Sequence, residues 1–345
     1  MRLKIPKSVS SMIRQQRQWQ KAVNRVVQQA GLGLGQEAAK PRAKPASAKP
    51  APHLEEVTAF GSNPGHLRML AYVPPGLKPG AALVVVLHGC QQTAEEFDRA
   101  SEWSVLARKH GFALLYPEQR HSNNPNLCFN WFRPSAVAED RGEIGSIRQM
   151  IDFLIETHDL SQTAVHVVGL SAGGAMAAAL LSVYPERFRA GAIMAGLPFG
   201  AVRDAMGALA IMRQAPQKSP QEWAGLVRQA SPETVNWPDI SIWHGTADEV
   251  VDIGNGQALV SQWLGLNGLE DVAPQRSVFP GGERLSWRNA RDDIKVEYAI
   301  LDGFAHGFPI SQKQESQPFM LAFPLSLAHL LVERWGLSPA GRKAA

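Results

Sequence analysis

Residues 165–183 read VHVVGLSAGGAMAAALLSV: three valines in a four-residue strand, a G-x-S-x-G turn, then a run of small and apolar residues. The turn is Gly169-Leu170-Ser171-Ala172-Gly173, with a second glycine at 174. Five letters with one serine recur by chance, so the strand–turn–helix context is what gives them meaning. A tight turn needs flanking residues without side chains, because neighbouring backbones must approach closely. The serine then stands at a helix N-terminus, where N–H groups stabilise developing negative charge. A phosphate-binding loop is the competing reading, but the Lys-Ser/Thr pair of a P-loop and the spacing of a dinucleotide fingerprint are both missing. Ser171 is therefore expected to be a nucleophile on an elbow.

Outward from this turn the chain alternates strands and helices. Residues 67–73, 82–87, 112–116, 165–169, 190–195, 240–243 and 296–301 read as strands, and ALVVVL at 82–87 is apolar on both faces, as an interior parallel strand is. Helices are expected over 97–109, 144–157, 175–183, 256–264 and 325–335. Repeated βα units imply a mostly parallel central sheet with helices on both faces, an α/β architecture. Residues 201–237 break the rhythm and read as an insertion, a candidate lid.

A serine hydroxyl needs a base and an orienting acid, which in this architecture follow in the order Ser…Asp…His. Asp248 fits the acid, in HGTAD at 244–248 just after the strand ISIW; Asp252 is a near rival. His306 fits the base, in the glycine-flanked DGFAHG at 302–307 directly after the last strand. His53 and His66 come too early, His110, His158 and His329 sit in or at the ends of helices, and His244 is placed to shape the acid turn. Two backbone donors should form an oxyanion hole: the N–H of Ala172, and that of Cys90 in the His88-Gly89-Cys90 loop after ALVVVL.

The segments LHGCQQTAEEFDRASEW, CFNWF, GEIGSI, GLSAGGAMAAALL and WHGTAD, with the His306 loop, resemble the poly(3-hydroxybutyrate) depolymerase-type esterases of the α/β-hydrolase superfamily, relatives of feruloyl and acetylxylan esterases. The resemblance spans roughly 55–337. It implies Ser171 as nucleophile, Asp248 as acid, His306 as base and Ala172 with Cys90 as oxyanion donors. It also implies a serine esterase acting on hydroxyalkanoate oligomers or short-chain esters, with feruloyl or acetylxylan esters as the alternative, and with no metal or organic cofactor. No polymer-binding module follows the catalytic segment, unlike the multidomain depolymerases. Cys90 and Cys128 both feed the presumed active face, as a disulfide or as two independent thiols. Asn130 and Trp131 are candidates to line an acyl or alcohol pocket, and Trp131 equally suits a core position.

Composition bounds the rest. A chain of 345 residues with 45% hydrophobic content can bury a large core, and no apolar run is long enough to cross a membrane. Two cysteines exclude a disulfide-dense scaffold and a Cys-rich zinc domain. The formal net charge of +4 is unevenly placed. Residues 1–53 hold 11 Lys and Arg against the single acid Glu37, a net of +10; the other 292 hold 24 against 30, a net of −6. Between Val9 and Ala30 the apolar residues cover roughly 120° of a helix, with Arg14, Lys21 and Arg25 on another side. This predicts a basic amphipathic helix over 1–30, which docks on its own domain, adheres to an anionic or hydrophobic surface, or binds nucleic acid. Nucleic acid is the weakest of the three, since no basic–aromatic interleaving accompanies the charge. A transit peptide would look similar.

Residues 31–53, rich in Ala, Lys and Pro, read as a linker, 54–337 as the catalytic domain and 338–345 as a tail. No secretory signal is recognisable, which points to the cytoplasm, while the family resemblance points outside the cell. Oligomeric state leaves no mark on the sequence. A reading of another class is a surface- or granule-binding protein on a hydrolase scaffold; the joint presence of Ser171, Asp248 and His306 weighs against it.

Overall fold

The computed structural model describes residues 53–314 and 317–338. The expected helix over 1–30, nearly all of the 31–53 linker and the tail beyond 338 lie outside the described residues. In chain order the elements are β1 (Glu55–Val57), β2 (Arg68–Tyr72), β3 (Leu83–Leu87), α1 (Ala94–Ser101), α2 (Trp103–His110), β4 (Ala113–Glu118), α3 (Gly142–His158), β5 (Val165–Leu170) and α4 (Ala172–Val183). They continue with β6 (Ala190–Met194), α5 (Ala205–Arg213), α6 (Pro220–Arg228), β7 (Asp239–Gly245), α7 (Gly254–Asn267), β8 (Gln275–Phe279), β9 (Gly282–Arg288), β10 (Ile294–Leu301), β11 (Phe308–Ser311), β12 (Met320–Phe323) and α8 (Leu327–Arg334).

Ten strands form one sheet in the order β1-β2-β4-β3-β5-β6-β7-β10-β9-β8. The six from β4 to β10 run parallel, and antiparallel pairs extend both edges. Side-chain alternation divides the core between two layers. Leu83, Val85 and Leu87 of β3 join the layer of α3, α4, α6 and α7, whereas Val84 and Val86 join that of α1, α2 and α8. Being covered on both sides is why LVVVL can be apolar throughout. The central helix α4 is buried on every side, which its small residues permit. The insertion between β6 and β7 supplies α5 and α6, with Trp223, Ala224, Val227 and Trp237 in the same core as α7.

Two departures from the sequence expectations have a visible physical cause. The single helix over 97–109 is divided at Glu102, whose φ of 61° is left-handed. The cause is the buried Asp98, whose carboxylate accepts the Ser104 N–H (2.8 Å), the Ser104 hydroxyl (2.6 Å) and the Tyr116 hydroxyl (2.6 Å). It caps a new helix rather than facing solvent from an old one. The hairpin β8–β9 had no apolar stripe to announce it, because β8 is almost wholly exposed.

His166 on β5 is 2% exposed and stacks on Trp335 with ring centroids 4.8 Å apart. Burial, aided by the Arg189 charge, pushes its pKa from 6.5 to about 3. Burial also pushes down His88 and His244. Below pH 6.5 the unfolded chain binds protons on these rings that the folded chain refuses, so stability falls as pH drops from 6.5 toward the folded values and is flat above. Thermal unfolding should therefore show a Tm declining between pH 7 and 5. His166→Gln should flatten that decline by up to about 1.4 kcal/mol per pH unit; an unchanged slope would show that His166 does not contribute.

Candidate active site

Ser171 has φ 56° and ψ −116°, a conformation that non-glycine residues rarely adopt. Its N–H donates to the Met194 carbonyl (2.8 Å) and its own carbonyl accepts from Ala175 (2.9 Å), so strand and helix clamp it from both sides. The flanking glycines answer to close approach. A Cβ on Gly169 would lie 2.2 Å from the Gly173 carbonyl oxygen, and one on Gly173 would lie 2.3 Å from that of Leu87. The elbow is thus wedged against the end of β3.

Asp248 lies in the turn after β7, with its side chain fully buried. One carboxylate oxygen accepts the N–H groups of Val250 (2.9 Å) and Val251 (2.8 Å); the other accepts Nδ1–H of His306 at 2.7 Å. Burial works against the ionised form, but the charge and hydrogen bond of His306, then His244 and the Val251 N–H, outweigh it and hold this carboxyl below its usual range. With Nδ1 committed to Asp248, the neutral His306 ring has Nε2 free to accept a proton. The two loops are stitched together. Thr246 donates to the Leu301 carbonyl (2.9 Å), Ala247 to that of Phe304 (3.1 Å), and the Gly303 N–H to the Thr246 hydroxyl (2.8 Å). Asp252 is exposed, and its carboxylate accepts the Gly254 N–H (2.9 Å) instead.

His244 sits beneath this turn. Its Nε2 donates to the Val251 carbonyl (2.8 Å) and lies 3.5 Å from the Asp248 carboxylate. Burial keeps its ring neutral.

The His88–Cys90 loop borders the elbow, where a Cβ on Gly89 would meet Leu170 at 3.4 Å. Among the described residues the N–H groups of Cys90 and Ala172 are paired with no protein acceptor. A disulfide joins Cys90 to Cys128, with Cα atoms 4.2 Å apart. Asn130 is 4% exposed, and its amide is engaged by Glu143 (2.6 Å) and Asn124 (3.2 Å). Trp131 is 8% exposed and packs edge-on against Phe132.

Sequence reasoning missed Glu143. This buried carboxylate accepts from Gln119 (2.7 Å), the Asn130 amide and the Asn130 N–H (2.8 Å), while Gln119 also donates to the Cys128 carbonyl (3.1 Å). Burial pushes its pKa up and these hydrogen bonds pull against that shift. It holds the 119–130 loop in place under Cys90. An acid beside Ile144 and Ile147, in the buried first turn of α3, was the available signal.

The model of the family described as esterase PHB depolymerase matches residues 67–284, which include Ser171 and Asp248. The chain belongs to this family. Poly(3-hydroxyalkanoate) depolymerase C of Paucimonas lemoignei is 36% identical over 258 residues, 74% of this chain and 62% of that protein. Feruloyl esterase B of Thermothelomyces thermophilus is 31% identical over 276 residues, 78% of this chain and 93% of that one. The chain thus spans less than two thirds of the depolymerase's length. An acetyl xylan esterase from Aspergillus awamori superposes with a TM-score of 0.71 at 21% identity, covering 83% of this chain and all of the other. That likeness concerns the fold, which is the α/β-hydrolase fold.

The disulfide closes a loop with a sequence separation of 38. Chain entropy alone assigns such a closure roughly 3–4 kcal/mol. The double variant Cys90→Ser/Cys128→Ser should lose about that much stability in urea unfolding; a loss below about 1 kcal/mol would show that packing holds the two loops unaided.

Proposed function

We propose that the chain is a carboxylic ester hydrolase with Ser171 as nucleophile, His306 as general base and acid, and Asp248 as the orienting carboxylate. The observation that carries this reading is the 2.7 Å hydrogen bond between buried Asp248 and His306, in a chain whose one G-x-S-x-G serine occupies a strained strand-to-helix turn. His306 Nε2 takes the Ser171 proton as Oγ attacks the ester carbonyl carbon. The carbonyl oxygen becomes an oxyanion against the N–H groups of Cys90 and Ala172. Collapse expels the alcohol, which leaves with the proton from the imidazolium and yields an acyl-serine. Water, deprotonated by His306, attacks the acyl carbon, and release of the acid restores Ser171. Asp248 holds the ring in its Nδ1–H tautomer and stabilises the imidazolium at each stage.

The substrate class follows the relatives' names. Hydroxyalkanoate oligomers or short-chain esters are favoured by the 36% identity to the depolymerase. Feruloyl or acetyl esters of plant polysaccharide are the second reading, favoured by a feruloyl esterase that this chain matches over 93% of its length.

A panel of p-nitrophenyl butyrate, hydroxybutyrate oligomers, methyl ferulate and acetylated xylan should register turnover. Hydroxybutyrate oligomers turned over faster than methyl ferulate and acetylated xylan would select the first substrate reading, and the reverse order the second. Ser171→Ala should lower kcat by on the order of 10⁶ and Asp248→Asn by ~10⁴, following measured triads. Asp252→Asn should stay within about twofold of wild type, because its carboxylate bonds the Gly254 N–H of its own turn. Equal activity of wild type and Ser171→Ala would sink the proposal.

A further inference from the structure

The loop after β3 contains a histidine to which the reaction above gives no work. His88 is 1% exposed, and the Phe129 ring packs on it with centroids 4.9 Å apart. Its Nε2 faces the backbone N–H of Gln119 at 3.2 Å, and its Nδ1 faces the Gly89 carbonyl oxygen at 2.7 Å. A backbone N–H can only donate, so Nε2 is the acceptor. The single proton of the neutral ring is therefore on Nδ1, and Nδ1–H donates to Gly89. Both neighbours are main-chain groups, so the tautomer is set by the fold. Burial supports the same assignment by pushing the ring toward its neutral form.

The Gly89 carbonyl and the Cys90 N–H belong to one planar trans peptide and point in opposite directions. Whatever fixes one fixes the other. We propose that His88 is a positioning residue that aims the Cys90 N–H at the developing oxyanion by holding the Gly89–Cys90 peptide. The inference rests on the esterase reading. Its surroundings agree with it: the Gln92 carboxamide accepts the Gly89 N–H (2.8 Å), the Gln91 N–H donates to the Asn126 carbonyl (2.8 Å), and the disulfide anchors the Cys90 side chain. These bonds restrain both neighbours of the peptide, while its own rotation is held by the histidine. A donor displaced by a fraction of an ångström would bind the ground-state carbonyl almost as well but lose much of its hold on the oxyanion.

Two substitutions separate the ring's two ends. His88→Asn keeps a donor near the Nδ1 position and loses the acceptor; His88→Gln keeps an acceptor near the Nε2 position and loses the donor. On a soluble p-nitrophenyl ester His88→Gln should lower kcat by ~10- to 100-fold, below the ~10²–10³ of a deleted donor, with KM within about threefold. His88→Asn should recover at least a fivefold share of that loss. Binding of a trifluoromethyl ketone, which forms an oxyanion on Ser171, should weaken in proportion to kcat. Equal kcat in the two variants, or a loss carried by KM, overturns the proposal.

A second measurement depends on no turnover. Long-range ¹⁵N–¹H spectra of histidine-labelled wild-type protein at neutral pH should show a ring in the Nδ1–H tautomer. The resonance is assigned by its disappearance in whichever variant retains the wild-type circular dichroism, or by its contact with Phe129. An Nε2–H tautomer for His88 overturns the proposal whatever the kinetics. Wild-type protein inactive on every ester, with the Nδ1–H ring present, instead overturns the esterase reading.

Discussion

At Gly173 the first turn of α4 comes so near the end of β3 that one methyl group would lie 2.3 Å from the Leu87 carbonyl oxygen. That contact brings together three things the site requires. It sets the start of α4, hence the strained Ser171 backbone. It puts the His88–Cys90 loop against the elbow, and among the described residues the N–H groups of Cys90 and Ala172 pair with no protein acceptor. It also sits at the C-terminal ends of parallel strands, where the turns after β7 and β10 arrive with Asp248 and His306. Removing side chains at 169 and 173 is the local condition for the arrangement of everything around it.

Burial is what gives the polar groups their meaning. Asp248, His244, His88 and Glu143 are all shielded from water, and each is surrounded by backbone N–H groups, carbonyls or amides that pull against the effect of burial on its charge state. Asp248 is held ionised because its partners outweigh the cost of burial. Burial pushes His88 and His244 toward their neutral forms, against the main-chain carbonyl each ring donates to and, for His244, the Asp248 carboxylate 3.5 Å away. In a low-dielectric site a misassigned proton would be costly, so main-chain geometry acts as the selector.

Much of the site was legible because its parts are short, local motifs. The elbow announces itself within nineteen residues, and strand ends followed by glycine-flanked polar turns mark Asp248 and His306. The choice between Asp248 and Asp252 was not legible, since both lie in one turn four residues apart. Tertiary pairing separates them: one reaches His306, the other faces solvent and bonds its own loop. The pairing of Asn130 with Glu143 was beyond a linear reading for a related reason. Their contact joins residues 13 apart across a loop and a helix, and no periodicity encodes it.

The sequence by itself determined the α/β-hydrolase order of elements, the position of the candidate nucleophile and the candidates for its partners. Hydrophobic alternation, glycine spacing and strand-end turns are properties of neighbouring residues. Only the tertiary structure decided which aspartate meets His306, that Cys90 and Cys128 are joined, that Asp98 divides a predicted helix, and which nitrogen of His88 carries the proton. Each of those depends on a partner brought from elsewhere in the chain, and burial turns that partner from an option into a requirement.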